Sequence, residues 1–420
     1  MRILAFAYAC EPGKGSEPGA GWAWARILAA LGETWVITRA NNRPAIEEEI
    51  DRAPERDRLH FVYVDLPSWA RSWKRGQRGI RLYYLLWQLA AWRRAKELDR
   101  RLHFDLAWHL TLANVWLGSL ASLEGRPFVY GPVGGGARTP YLLLPTLGGR
   151  GIAFDLFRTV AQLVGRYLNP VARLAWSRAT LILVQNPETL AWLPRTHRGK
   201  GVVFPNAAIE LPPLPQSTPL WSAGHPRALF AGRLLPWKGV ALAIRTISLL
   251  PGWHLSIIGS GPDEERLRRH VRRRGLEGRV DFVPTVPREE LLRRMRDDAD
   301  VFLFPSLHDD GPWVVAEAIL SGLPVVCLEL GGPPILGGIG VRPSTPARTA
   351  SALASTAQYA TSNPGSIPRK FTPASRAAGV RRLLRERTTI LTGGPGRVAD
   401  PQGSRNGLGG GPSRSETTTS

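Results

Sequence analysis

The sequence predicts an α/β fold in which two doubly wound, Rossmann-like domains face an interdomain cleft. Three observations carry that reading. Short apolar runs of strand length alternate with helical stretches along most of the chain. The series breaks at a Pro-rich stretch, 204–227, and then begins again. A length of 420 residues, 43% of them hydrophobic, suits two domains of ordinary size with proper cores.

The first series opens with a buried strand at 2–8 (RILAFAY). A Gly/Pro loop, 10–21 (CEPGKGSEPGAG), leads into a helix at 22–31. Strand, glycine-rich loop and helix is a common opening for a phosphate-binding half-domain. The loop matches neither GxGxxG nor a Walker motif, and a plain long connection fits its spacing equally. Further strands are expected at 34–38, 60–64, 106–110, 127–131, 181–184 and 202–205. His109 ends one of them, at the strand end where open α/β sheets bind ligands. A lone histidine is more often structural. The glycines of 131–140 (GPVGGGARTP) permit close backbone approach, and a surface loop reads the same. Residues 71–101 have an aromatic and aliphatic middle with basic flanks. That pattern suits either an anionic membrane surface or a core helix with basic ends.

The second series runs through a strand at 227–234, a helix at 240–250 and strands at 254–261 and 280–283. Acidic residues at 263–265 suit the start of the helix that follows. The stretch 299–334 (ADVFLFPSLHDDGPWVVAEAILSGLPVVCLELGGPP) then reads as strand, loop, helix, strand, loop. Its helix N-terminus offers the N–H groups of Trp313 and Val314 to an anion. Asp309 in the loop and Glu317 on the helix can accept hydrogen bonds from hydroxyls. An anion site beside two such carboxylates is what a nucleotide-sugar needs. A further helix is expected at 345–359.

The formal net charge of +21 points to acidic partners: phosphorylated substrates, anionic lipid or nucleic acid. Cys10 and Cys327 are far apart and lack CxxC spacing, so neither a zinc site nor a disulfide framework is implied, and a reducing compartment is expected. The N-terminal apolar run reads as a strand leading into a loop, not as a signal peptide. No uncharged apolar run approaches the ~20 residues a spanning helix needs. From 391 onward the composition is that of a disordered tail.

The stretch HDDGPWVVAEAILSGLPVV resembles the C-terminal signature of the retaining family 4 (group 1) glycosyltransferases, which have the GT-B fold. That family carries two Glu residues separated by seven positions; here Asp309 takes the first place and Glu317 the second. GRLLPWKG, 232–239, is similar to the family's Gly-Arg…Lys-Gly element. The resemblance implies that Arg233 and Lys238 hold the donor diphosphate, without a metal or other cofactor. It implies that Glu317 binds ribose hydroxyls, Asp309 binds hexose hydroxyls, and His109 sits near the anomeric centre. It also implies that Gly15, Gly19 and Gly21 let the backbone approach substrate. Phe371 and Thr372 fit the turn before the family's last helix, which crosses back to the first domain, while Pro373 replaces the usual aromatic.

The implied domains are 1–208 for the acceptor and 209–368 for the nucleotide-sugar, with a crossing-back helix at 369–390 and a tail at 391–420. The implied function is transfer of a sugar from a nucleoside-diphosphate sugar to a glycan or lipid-linked acceptor. The expected location is cytoplasmic, with peripheral contact to the inner membrane face. One rival is a metal-dependent transferase using Asp298-Ala299-Asp300 as a DxD motif, although that triplet precedes its strand. A same-fold epimerase, a sugar-nucleotide-binding protein without turnover and a basic nucleic-acid-binding protein are the others. The last explains the charge but not the ordered GRLLPWKG and HDDGPWVVAE elements.

Overall fold

The computed structural model describes residues 1–67, 80–210, 225–362 and 371–388. Parts of the basic 71–101 segment and of the Pro-rich linker, and the whole tail, lie outside the described residues. The described chain forms two parallel sheets. The first contains β1 (Arg2–Phe6), β2 (Glu33–Thr38), β3 (Leu59–Tyr63), β4 (Leu106–His109), β5 (Phe128–Val133), β6 (Ala179–Val184) and β7 (Gly201–Val203), in the order β3-β2-β1-β4-β5-β6-β7. The second contains β8 (Arg227–Ala231), β9 (His254–Ile258), β10 (Val280–Val283), β11 (Val301–Phe304), β12 (Val325–Leu328) and β13 (Ile339–Val341), in the order β10-β9-β8-β11-β12-β13. Central strands such as β4 and β11 are buried at every position, because helices cover both faces of a parallel sheet. They therefore read in sequence as unbroken apolar runs.

The helices are α1 (Ser16–Ala29), α2 (Arg43–Glu49), α3 (Ile80–Leu102), α4 (Gly148–Tyr167), α5 (Pro170–Arg178), α6 (Pro187–Trp192), α7 (Val240–Ser248), α8 (Glu264–Arg272), α9 (Arg288–Asp297), α10 (Trp313–Leu320), α11 (Pro333–Leu336), α12 (Pro346–Ser362) and α13 (Pro373–Arg387). α1 begins six positions before the expected start. Gly19 and Gly21 therefore lie inside a helix, not in a loop. None of the described helices is long and apolar enough to cross a membrane.

Both sheets reverse strand order between their first and fourth strands, β1/β4 and β8/β11. That reversal opens a crevice beyond the strand C-termini, the usual ligand position in such sheets. The two crevices face each other. α13 packs back on the first sheet's side: Thr372 Oγ1 caps it by accepting from Ser375 N, Arg376 donates to Ala207 O at 2.8 Å, and Arg381 donates to Ala30 O at 2.9 Å.

Candidate active site

A cleft of about 1040 Å³ occupies the space between the two crevices. Loops after β1, β4 and β5 line one wall, and loops after β8, β9, β10 and β11 line the other. Arg233 and Lys238 leave the end of β8, and Asp309 leaves the end of β11. Their loops can lie this close because Gly239 (φ 75°) has no side chain; a Cβ there would meet Pro305 O at 1.8 Å.

Lys238 and Asp309, expected to act separately, form one ion pair. Lys238 Nζ lies 2.8 Å from both carboxylate oxygens, and Ser306 Oγ donates to Oδ2 at 2.7 Å. Burial alone would push the Asp309 carboxyl up. Lys238 and Ser306 outweigh it, so its pKa lies below the ordinary value. Both residues line the cleft, so the pair holds a fixed ammonium there beside its counter-ion. Arg233 is exposed on the same wall.

Beyond this pair the first turn of α10 opens onto the cleft with Trp313 and Val314. A helix leaves its first N–H groups without intrahelical partners, so an anion is favoured there. One turn further, Glu317 also lines the cleft. Its Oε1 accepts from Arg288 Nε at 2.7 Å, a partner in α9 that the sequence did not suggest. Gly15 lines the opposite wall.

Three expected contacts fall elsewhere. His109 is 1% exposed and does not line the cleft. Its ring lies between Tyr84 Oη (2.9 Å) and Ser119 Oγ (2.8 Å), and burial lowers its pKa to about 3. It is a neutral core histidine bonded to Tyr84, a residue that itself lines the cleft. Gly19 and Gly21 face the backbone of the preceding loop: a Cβ at Gly19 would meet Lys14 O at 2.0 Å, and one at Gly21 would meet Ala9 O at 1.9 Å. They let α1 cross its own entry loop. The DxD triplet is also away from the cleft. Asp300 accepts from Arg227 N at 2.7 Å at the start of the strands, and Asp298 pairs with Arg293.

The sequence reading missed several cleft residues. Glu17, in the first turn of α1, accepts from Leu112 N at 3.2 Å, and burial raises its pKa. Gln185 and Asn206 line the cleft, with buried Oε1 and Oδ1 atoms that accept no hydrogen bond from the described residues. Both oxygens pack against Gly311, where a Cβ would meet them at 2.1 and 3.0 Å. Asp310 joins the two walls. Its carboxylate accepts from Gly135 N (2.8 Å), Asn186 Nδ2 (3.0 Å) and Thr189 Oγ1 (3.4 Å), all on the first sheet's side. A second seam stacks Phe154 on Trp237 at 4.6 Å, and Trp237 on His308 at 5.3 Å.

Asp310→Ala leaves those donors without their shared acceptor. We expect a loss of about 1–3 kcal/mol in thermal unfolding, with Asp310→Asn recovering part of it. Equal melting temperatures for all three proteins would show that this carboxylate does not tie the walls together.

Residues 218–355 match the family model described as Glycosyl transferases group 1. Among curated proteins, the amylovoran biosynthesis glycosyltransferase AmsK of Erwinia amylovora is 38% identical over 120 residues, 26% of this chain and 29% of that protein. The D-inositol 3-phosphate glycosyltransferase of Mycolicibacterium smegmatis is 34% identical over 118 residues, 27% of each chain. The matched stretches thus span less than a third of either relative. The fold similarity reaches further. The structure of Anabaena HepE in complex with UDP-glucose superposes with a TM-score of 0.55 at 19% identity, covering 92% of this chain and 99% of that one. The apo lipopolysaccharide outer core galactosyltransferase WaaB gives a TM-score of 0.60 at 13% identity, again covering 92% and 99%. The two-domain architecture is the GT-B fold.

Proposed function

We propose, from the group 1 glycosyltransferase domain in the second half of the chain, that this protein is a hexosyltransferase. It moves a sugar from a nucleoside-diphosphate sugar to a glycan or lipid-linked acceptor. The convergence at one cleft of Arg233, Lys238, the α10 N-terminus and Glu317 carries this reading. The HepE complexes hold UDP and UDP-glucose within the same fold, which supports a nucleotide-sugar as donor.

In this account Glu317 accepts hydrogen bonds from the ribose hydroxyls, and the diphosphate lies against Lys238, Arg233 and the first N–H groups of α10. Breaking the sugar–phosphate bond gathers negative charge on the leaving diphosphate. Cations already fixed in place stabilise that charge in the transition state without reorganising. Asp309, which lines the same cleft, accepts from the sugar's hydroxyls with the lone pairs that Lys238 and Ser306 leave unused. The acceptor enters from the wall that carries Glu17 and Tyr84. Transfer retains the anomeric configuration: the acceptor attacks from the face the diphosphate leaves, and the leaving phosphate takes the acceptor's proton. That course follows the family 4 resemblance. The two buried free thiols, Cys10 and Cys327, suit a reducing, cytoplasmic location.

A thermal-shift screen against a panel of nucleotide-sugars identifies the donor, because a ligand that binds only the folded state raises its melting temperature. Transfer from that donor is expected to persist in EDTA. Activity abolished by chelator and restored by Mg²⁺ or Mn²⁺ would mean that a metal, not the Arg233–Lys238 pair, neutralises the diphosphate.

A further inference from the structure

α4 is amphipathic in the reverse sense to a normal surface helix. Its protein-facing side carries Gly151, Asp155, Gln162 and Gly165. Those groups bond inward: Asp155 accepts from Thr139 Oγ1 at 2.8 Å, and Gln162 Nε2 donates to Gly135 O at 2.7 Å. Its outward side is apolar. Leu156, Phe157, Val160, Val164, Tyr167 and the following Leu168 are 49–73% exposed. The helix holds one carboxylate, the buried Asp155, and three arginines, of which Arg158 turns inward to donate to Ala137 O at 2.8 Å while Arg150 is exposed and Arg166 partly so.

α3 presents a second stripe, Leu82, Leu85, Leu86 and Leu89, 36–55% exposed, which continues into the exposed Arg93 and Arg94. Both helices flank the segment after β4. Leu120 N donates to Gln88 Oε1 of α3, and Gly165 of α4 lies against Trp116. Trp116 and Leu117 of that segment line the cleft. The inner faces of both helices thus pack on a segment that also lines the cleft, and their apolar faces point away from it.

We propose that these faces of α4 and α3 dock the protein on an anionic lipid bilayer. Large apolar side chains pointing outward, with polar ones inward, fit an apolar medium outside the helix. Charge selects the bilayer over a second copy of the chain. At a formal +21 two copies repel each other, whereas an anionic leaflet attracts. The inference stands on the helices alone and does not require the glycosyltransferase reading.

The test is co-sedimentation of the full chain with phosphatidylcholine vesicles, with and without phosphatidylglycerol. We expect binding to the anionic vesicles at least about tenfold above the neutral ones at low salt, weakening as salt rises. The double variant Leu156→Ser/Phe157→Ser is expected to lose binding by about tenfold or more, with an unchanged melting temperature. Leu85→Ser/Leu86→Ser is expected to lose several-fold, and Leu249→Ser, at an exposed position in the second domain, nothing. Negligible binding to anionic vesicles overturns the proposal, as does a Leu156/Phe157 variant that binds like wild type. So does a wild type that is dimeric without lipid, becomes monomeric in that variant and ignores vesicles. The nucleotide-sugar thermal shift is read on the same samples. Vesicle binding without donor binding, or the reverse, separates this proposal from the assigned reaction.

Discussion

Lys238→Gln is expected to lower the turnover of sugar transfer by about 10²–10³-fold, the scale on which removing one preorganised charge-stabilising group slows a reaction. The ammonium it removes stands at the end of β8, held 2.8 Å from both oxygens of Asp309. A charge already fixed there stabilises the leaving diphosphate; a glutamine amide supplies only a dipole. Among the described residues the variant also leaves Asp309 with Ser306 as its remaining side-chain hydrogen-bond donor, so some stability is lost. Its pH dependence identifies that part. The folded pKa of Asp309 is depressed, so its stabilising contribution is full above the ordinary carboxylate range and is lost as pH falls through the lower folded value. In Lys238→Gln the depression shrinks, and so does the acid-side loss of stability. A structural role alone predicts that altered acid unfolding with turnover intact at neutral pH.

Glu317→Gln is expected to weaken donor binding by roughly tenfold or more, since a charged acceptor is worth about 1.5–3 kcal/mol per hydrogen bond. The substitution keeps the shape of the side chain and an oxygen that can still accept from Arg288, so the melting temperature should change little. A residue that merely anchors α9 to α10 gives the opposite pattern: reduced stability with donor affinity unchanged. Calorimetric titration beside thermal unfolding of the same preparation distinguishes the two.

The sheets were largely legible in the sequence because their central strands are buried on both faces. VFLF in β11 is apolar throughout and buried at every position, so it reads as a strand. β13 was not read: it has three residues, two of them exposed, with Gly340 at its centre. The start of α1 was misplaced because its glycines looked like loop, although Pro18 near the first turn is itself a helix-start signal. α4 escaped notice for the reason that makes it informative, its large apolar side chains facing out.

The cations of the second domain were picked out by the resemblance of GRLLPWKG to a family element, and its carboxylates by their place in a strand–loop–helix stretch, because β8, β11 and the loops after them are short and local. The Lys238–Asp309 and Arg288–Glu317 pairs were not, since each joins segments 71 and 29 residues apart. His109 was drawn to the site by its place at a strand end. Its side chain turns into the core behind Tyr84, an orientation that spacing cannot give. Glu17, Gln185, Asn206 and Asp310 matter only once the two walls meet. The doubled aspartate of HDDG was the one local sign, and only its first member had been considered.

Binding of nucleoside diphosphates to the folded protein, titrated by calorimetry in the presence of EDTA, bears most directly on the cleft assignment. One nucleoside diphosphate should bind saturably at one site per chain, at least about tenfold more weakly in Lys238→Gln. If no member of the panel binds the folded wild type, or Lys238→Gln binds as tightly as wild type, Lys238 and the cleft it lines are not the donor site.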